Sequence, residues 1–309
     1  MFFVTLLWFF FAISPVVSVF KGAFILPHGG IALDPFHFNT TNKTAKAQAW
    51  EIHKAALQVG QVITSLNPDV IILSTPHGIS AAEDFVFYLS PQGYGSADTD
   101  NCVCPPCCYN LSVPMDTDVT SKLVDFLKGS NKVTFLSAFG PPGEEDVPFP
   151  LRWGEIVPIY FSKEVLGKTK FVFLSHPSRR YTDDVIMIPE LYHLGSNLRH
   201  FVDSLNKSVA MVISADLAHT HLKSGPYGFS TAAEPFDNAC GKWVTGQDSE
   251  VLLVEAAGYV DKALSCGYTG FVMLDGMLKS GTSINWKSHL YVNKHPSYYG
   301  MMVASFLPT

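Results

Sequence analysis

A layered α/β fold, with a central mixed but largely parallel sheet flanked by helices, is expected for this 309-residue chain. Two patterns carry that expectation. Short apolar runs of strand length alternate with longer stretches of helical period, and histidines recur just past the ends of the apolar runs, where parallel strands deliver the chain to the ligand crevice of an open sheet. Composition agrees: 47% of residues are hydrophobic and only 16% charged, against about 25% charged in an ordinary soluble domain. The chain can therefore build a large core, which excludes intrinsic disorder, and no fixed-period repeat suggests a solenoid. The 21 Lys+Arg against 27 Asp+Glu give a net charge of −6. No basic cluster with interleaved aromatics stands out, so nucleic acid is not an expected partner.

In chain order, the uncharged segment MFFVTLLWFFFAISPVVSVF comes first. Its apolar run, the Ser14-Pro15 break and small Ser18 make residues 1–18 read as a secretory signal peptide. The alternative is an uncleaved anchor, since about 20 apolar residues just span a bilayer. Residues 19–309 would then form one domain on a secretory route, as a glycoprotein if the sequons at Asn39, Asn42, Asn110 and Asn206 are used. Strands are expected at 23–26, 70–74, 85–89, 132–136, 170–174, 209–214, 289–292 and 301–306. Helices are expected at 44–66, with an apolar stripe through Ala47, Trp50, Ala55, Val59 and Ile63, and at 118–128, 189–205, 232–244 and 249–264. Segments 90–116 and 138–150, rich in Gly, Pro and Cys, read as long functional loops. The first holds Cys102, Cys104, Cys107 and Cys108 in NCVCPPCC, apart from Cys240 and Cys266. A disulfide-knotted loop is the favoured reading and a small zinc site the alternative.

The chemistry gathers at four strand ends. FILPHGG places His28, VIILSTPHG places His77, FVFLSHPS places His176, and MVISADLAHTH places Asp216, His219 and His221. If these strands are parallel neighbours, their histidines meet at one edge of the sheet. Neutral imidazoles with one further ligand bind a divalent transition metal and leave positions open for substrate and oxygen, and a spare histidine supplies acid–base catalysis. No P-loop, G-x-G-x-x-G, G-x-S-x-G or H-E-x-x-H pattern offers a rival chemistry.

Five collinear motifs, PHGG, TPHG, WGEIVPIYF, SADLAHTH and SYYGMMVASF, resemble the class III extradiol ring-cleavage dioxygenase (LigB-like) superfamily, which includes MEMO-type proteins. The resemblance implies a three-layer fold and an oxidoreductase that opens a catechol-like or aminophenol ring with O2 at non-haem Fe(II). It implies His28 and His77 as metal ligands and His219 as the group that deprotonates the substrate hydroxyl. The third ligand of the ring-cleaving enzymes, a glutamate in a helical segment, corresponds here to Cys266 in ALSCGYTGFVMLDG, as in MEMO-type members; Glu255 and Asp275 are the oxygen-ligand alternatives. A thiolate would also suit zinc or copper. Where ring-cleaving relatives carry Asp-His before the central glycine, this chain has Arg152-Trp153-Gly154. Trp153 could stack on an aromatic substrate or fill a core, and Arg152 could pair with a substrate carboxylate or with a surface acid. Asp216 is read as orienting His219 or capping a loop, His221 as supporting the site, and His176 as a pocket wall or turn residue. The alternative function is a MEMO-like metal-binding or interaction protein without ring cleavage. A homodimer is the default assembly.

Overall fold

The computed structural model describes residues 19–99, 101–140, 147–281 and 284–309, so the expected leader lies outside the described residues. The chain runs β1 (Val19–Leu26), α1 (Gly30–Leu33), α2 (Lys43–Leu66), β2 (Val70–Thr75), β3 (Phe85–Tyr88), β4 (Gln92–Ala97), β5 (Tyr109–Pro114), α3 (Thr117–Leu127), β6 (Val133–Leu136) and β7 (Phe149–Leu151). It continues with α4 (Trp153–Phe161), β8 (Lys170–Ser175), α5 (Arg180–Asp183), α6 (Ile188–Ser204), β9 (Ser208–Ser214), α7 (Ala233–Gly246), α8 (Ala257–Ala263), α9 (Tyr268–Leu278), β10 (Trp286–Lys294) and β11 (Met301–Pro308). A π-helical stretch, Val251–Ala256, leads into α8. Among the described residues no helix is long and apolar enough to cross a membrane.

Eight strands form one sheet in the order β10-β11-β1-β9-β2-β8-β3-β6. Its centre, β1-β9-β2-β8, is parallel, and antiparallel pairs lie outside it. Every residue of β2 is buried, as expected of a parallel strand covered on both faces. Alternate side chains separate the two layers: Ala23, Ile25, Val70 and Ile72 pack toward α3, α6, α7 and α9, whereas Phe24, Leu26, Ile71 and Leu73 pack toward α1, α2 and α4.

Asn42 starts α2, its side chain accepting from the Thr44 and Ala45 amides. The helix buries Ala45, Ala49, Ile52, Ala56, Val59 and Ile63. Ala47 and Trp50, expected on the buried stripe, face out because the true stripe is offset from them. The expected loop over 90–116 is corrected to an antiparallel pair, β4 with β5, to which β7 adds in parallel. Gly93 and Gly95 hid this from the sequence: they are poor strand formers, but a side chain at either would collide with Leu151 of β7. The linking loop carries disulfides Cys102–Cys107 and Cys104–Cys108. Helix α4 was also not expected, and α9 was expected to be helical only through the family resemblance, not from its pattern. Helix α9 is buried on every side and has no polar face to betray its period.

Candidate functional site

Strands β1, β9 and β2 are adjacent, parallel and in step, with Leu26 opposite Ser214 and Ile213 opposite Ser74. Their carboxyl ends therefore release His28, Asp216, His219 and His77 at one edge. Cys266 reaches this edge from the turn before α9. The Gly267 amide and Ser265 hydroxyl both donate to the Asp216 carbonyl, at 3.0 and 3.1 Å. A Cβ at Gly267 would crowd Ala215 and that same carbonyl, so only glycine permits the approach. Ligand atoms of His28, His77 and Cys266 all lie within 4.8 Å of one another.

Hydrogen bonds fix the tautomer of His28. The Ser214 hydroxyl donates its one proton to the Gly154 carbonyl at 2.5 Å, so at 3.0 Å it can only accept from His28 Nδ1–H. The lone pair of His28 then sits on Nε2, facing Cys266 Sγ at 3.3 Å and Asp216 Oδ2 at 3.4 Å. A nitrogen lone pair, a carboxylate oxygen and a sulfur directed at one point suit a cation between them. Burial drives the His28 pKa well below its ordinary value and that of His77 to about 3, with Arg180 and neighbouring imidazoles adding to the effect, so both rings are neutral and able to ligate. Burial, then the charge of Asp216, pushes the Cys266 thiol up to about 12. It would ionise only on meeting a metal.

A cavity of about 440 Å3 opens over this point, with His28, His77, Trp153, His219, Tyr227 and Tyr299 in its wall. A smaller one of about 210 Å3, lined in part by Arg180, Tyr181 and Cys266, reaches His77 and His219 from another side. His219 Nδ1 lies 3.0 Å from the Leu217 carbonyl, to which it donates, and the backbone of Leu264 also hydrogen-bonds the ring. Its ring stacks on Tyr299 at 5.8 Å between centroids, and burial lowers its pKa to about 4. Trp153 stacks on His77 at 5.2 Å rather than filling a core.

The other expected residues are distributed unevenly. Asp216 supports His28, accepting its amide at 3.2 Å, whereas His219 is oriented by backbone. His221 Nε2 lies 2.7 Å from Asp237 Oδ2, and its ring stacks on His295 at 3.9 Å. His176 is buried with Nε2 at 2.7 Å from the Ser74 hydroxyl and its ring against Phe85, and it lines neither cavity. Arg152 precedes α4 with its guanidinium 5.9 Å from the Trp153 ring. The oxygen-ligand alternatives are elsewhere: Glu255 pairs with Lys242 at 2.8 Å, and Asp275 accepts the Trp243 indole N–H at 2.9 Å.

Sequence reasoning missed Arg180 and the tyrosines. Arg180 is buried, donates to the Pro76 carbonyl at 2.6 Å, and helps hold His28, His77 and His219 neutral. Tyr298 and Tyr299 lie in SYYG, a motif noted for resemblance rather than chemistry; Tyr227, in SGPYG, left no signal.

Residues 22–304 match the family described as the catalytic LigB subunit of aromatic ring-opening dioxygenase. Protein CA_C1420 of Clostridium acetobutylicum is 24% identical over 259 residues, 84% of this chain. The chain spans about half, 52%, of that curated relative's length. The crystal structure of the uncharacterized protein JW3007 from Escherichia coli K12 shares the fold, with a TM-score of 0.54, 16% identity and coverage of 92% of this chain and 99% of that one. Matched over nearly its whole described length, this chain belongs to the LigB catalytic-subunit family of aromatic ring-opening dioxygenases.

Proposed function

We propose that this chain is a non-haem metal-dependent dioxygenase that opens a catechol-like or aminophenol ring with O2. The observation that carries the reading is the convergence of His28, His77 and Cys266 beneath a cavity walled by His219 and aromatic rings. In this reading those three residues hold the metal, iron(II) first, with zinc and copper compatible with the thiolate. When bound, iron(II) supplies the joint binding of the diol and dioxygen and the electron transfer between them.

The remaining work falls to side chains. His219 takes a proton from a substrate hydroxyl on Nε2 and returns it to the opened product. The positive charge of Arg180 favours the substrate monoanion so formed. Trp153, Tyr227 and Tyr299 offer ring faces to a flat substrate. Ser214 acts through His28: Ser214→Ala frees the imidazole to flip tautomer and should weaken metal binding about 10–100-fold, measured by competition with a chromogenic chelator.

The test is anaerobic reconstitution with iron(II), followed by oxygen uptake and absorbance with a panel of catechols and aminophenols. Oxygen uptake with a yellow ring-opened product supports the proposal. Stoichiometric metal without oxygen uptake across the panel would favour a metal-binding, MEMO-like role, to which Cys266 and the stacking of Trp153 on His77 lend weight. Wild-type protein that holds no metal would sink both.

A further inference from the structure

The cysteine-rich loop between β4 and β5 has no part in the chemistry above, yet Asp98 and Thr99 at its start line the larger cavity. Strands β4 and β7 are parallel neighbours with Gly95 opposite Leu151, so their carboxyl ends bring Asp98 and Trp153 into the same cavity wall. We propose that this wall is an ammonium subsite, and that the ring the site opens carries an aminoalkyl chain. The inference rests on the ring-opening reading of the cavity floor and adds to it the substituent that the substrate bears.

Charge in the wall has one sign. Among the described residues no Lys or Arg side chain lines the cavity. Asp98 is exposed, directly follows β4, and makes no hydrogen bond or ion pair among the described residues. Asp216, the other carboxylate of the lining, already accepts the His28 amide at 3.2 Å. The buried Arg180 opens on the smaller cavity instead. A ligand cation at Asp98 therefore has no side chain of this protein to displace.

The aromatic lining favours the same sign. Trp153 and Tyr227 leave 43% and 58% of their surface exposed, and large open ring faces at a cavity mark a binding surface. Tyr298 lies edge-on to Tyr299 at 4.9 Å between centroids and tilts 53° from Tyr227 at 6.3 Å. Ring faces in several planes around one space suit an organic cation, because the negative face of each ring attracts it. A carboxylate would meet those faces, and Asp98, with repulsion. The diol end goes to the floor at His28, His77 and Cys266, and a cavity of about 440 Å3 leaves room for a short chain to reach Asp98.

The loop holds the acid in place. The Thr99 amide and hydroxyl donate to the Cys102 carbonyl at 3.3 and 3.0 Å, and Cys102 is tied to the buried Cys107. A carboxylate carried by a fixed loop loses little freedom when a cation binds it.

The test reads binding and turnover separately on the full chain loaded with iron(II). Anaerobic calorimetry, in which no ring can open, compares dopamine with 4-ethylcatechol and dihydroxyphenylpropionate. An ion pair and a cation–π contact at an open cavity wall should make the amine bind about threefold to thirtyfold more tightly than the neutral catechol. The carboxylate should bind most weakly, and added salt should shrink the amine's advantage. Asp98→Asn should cut the ratio of amine to neutral affinity by about twofold to fivefold, and Asp98→Glu should retain it; a merely structural role would weaken all three ligands alike. No binding by any of the three, equal binding of amine and neutral catechol, tighter binding of the carboxylate, or a ratio indifferent to Asp98→Asn overturns the proposal. Oxygen uptake is then measured with the same compounds. An amine preference without oxygen uptake supports the subsite and sinks the ring-opening reading, and ring opening without an amine preference does the reverse.

Discussion

Replacing His219 with alanine is expected to lower kcat on a ring-opened substrate by about 10²–10⁴ while leaving the metal content per chain unchanged. The two readouts separate because His219 is held by backbone alone. Its amide donates to the Ala263 carbonyl at 2.8 Å and its Nδ1 to Leu217, and its ring is not among the converging His28, His77 and Cys266. A base must be unprotonated to act, so the folded-state value of about 4 sets an acid limb. In the free enzyme kcat/KM should hold above that pH and fall with one-proton slope below it. Stability has the same sign. The unfolded imidazole binds a proton near pH 6.5 that the folded one refuses until about 4, so its contribution is full above pH 6.5 and is lost as pH falls toward 4. His176, buried and held to about 3, extends that loss further down. Metal analysis, steady-state kinetics and denaturant melts at pH 7 and 5 check the three claims; metal lost along with activity in His219→Ala would count against a purely proton-moving role.

What supports His219 explains how much of the site the sequence could reveal. The motifs that end β1, β2 and β9 announced His28, His77 and His219, because a histidine just after an apolar run is local information and neighbouring parallel strands do the rest. The partner that frames His219 was not local. Asp237, on α7, accepts the Ala218 amide at 2.9 Å and faces His221 at 2.7 Å, bracketing the histidine from both sides. Nothing near residue 237 marks an aspartate as part of a site made 20 residues earlier. Arg180 was invisible for the same reason: it lies in a short helix after β8, and only the packed structure brings its charge to His77 and Cys266. Cys266 was reached through resemblance and not through pattern, since the all-buried helix behind it shows no period.

That helix sets up the second large effect, in which one substitution at two positions should act with opposite signs. Helices α6 and α9 cross so closely that a Cβ on Gly276 would overlap the Tyr192 backbone, and one on Gly195 the Met273 carbonyl. Backbone cannot swing aside as a side-chain end can, so Gly276→Ala must push the helices apart. Overpacking costs about 1–3 kcal/mol or more, against a gain of about 1 kcal/mol in helix propensity, and the cost should prevail. Gly258, in α8, has nothing within 4 Å of the same added atom. Gly258→Ala should keep the propensity gain and stabilise by about 0.5–1 kcal/mol. Urea melts of the two variants, compared at constant m-value, read the sign directly. The crossing also reaches the site, because Cys266 stands just before the first turn of α9 and any displacement of the helix is carried to its sulfur. Gly276→Ala should therefore bind metal more weakly than wild type, and Gly258→Ala should not. If Gly276→Ala were as stable as Gly258→Ala, the crossing of α6 and α9 would have room for the added methyl and would not set the cost argued here.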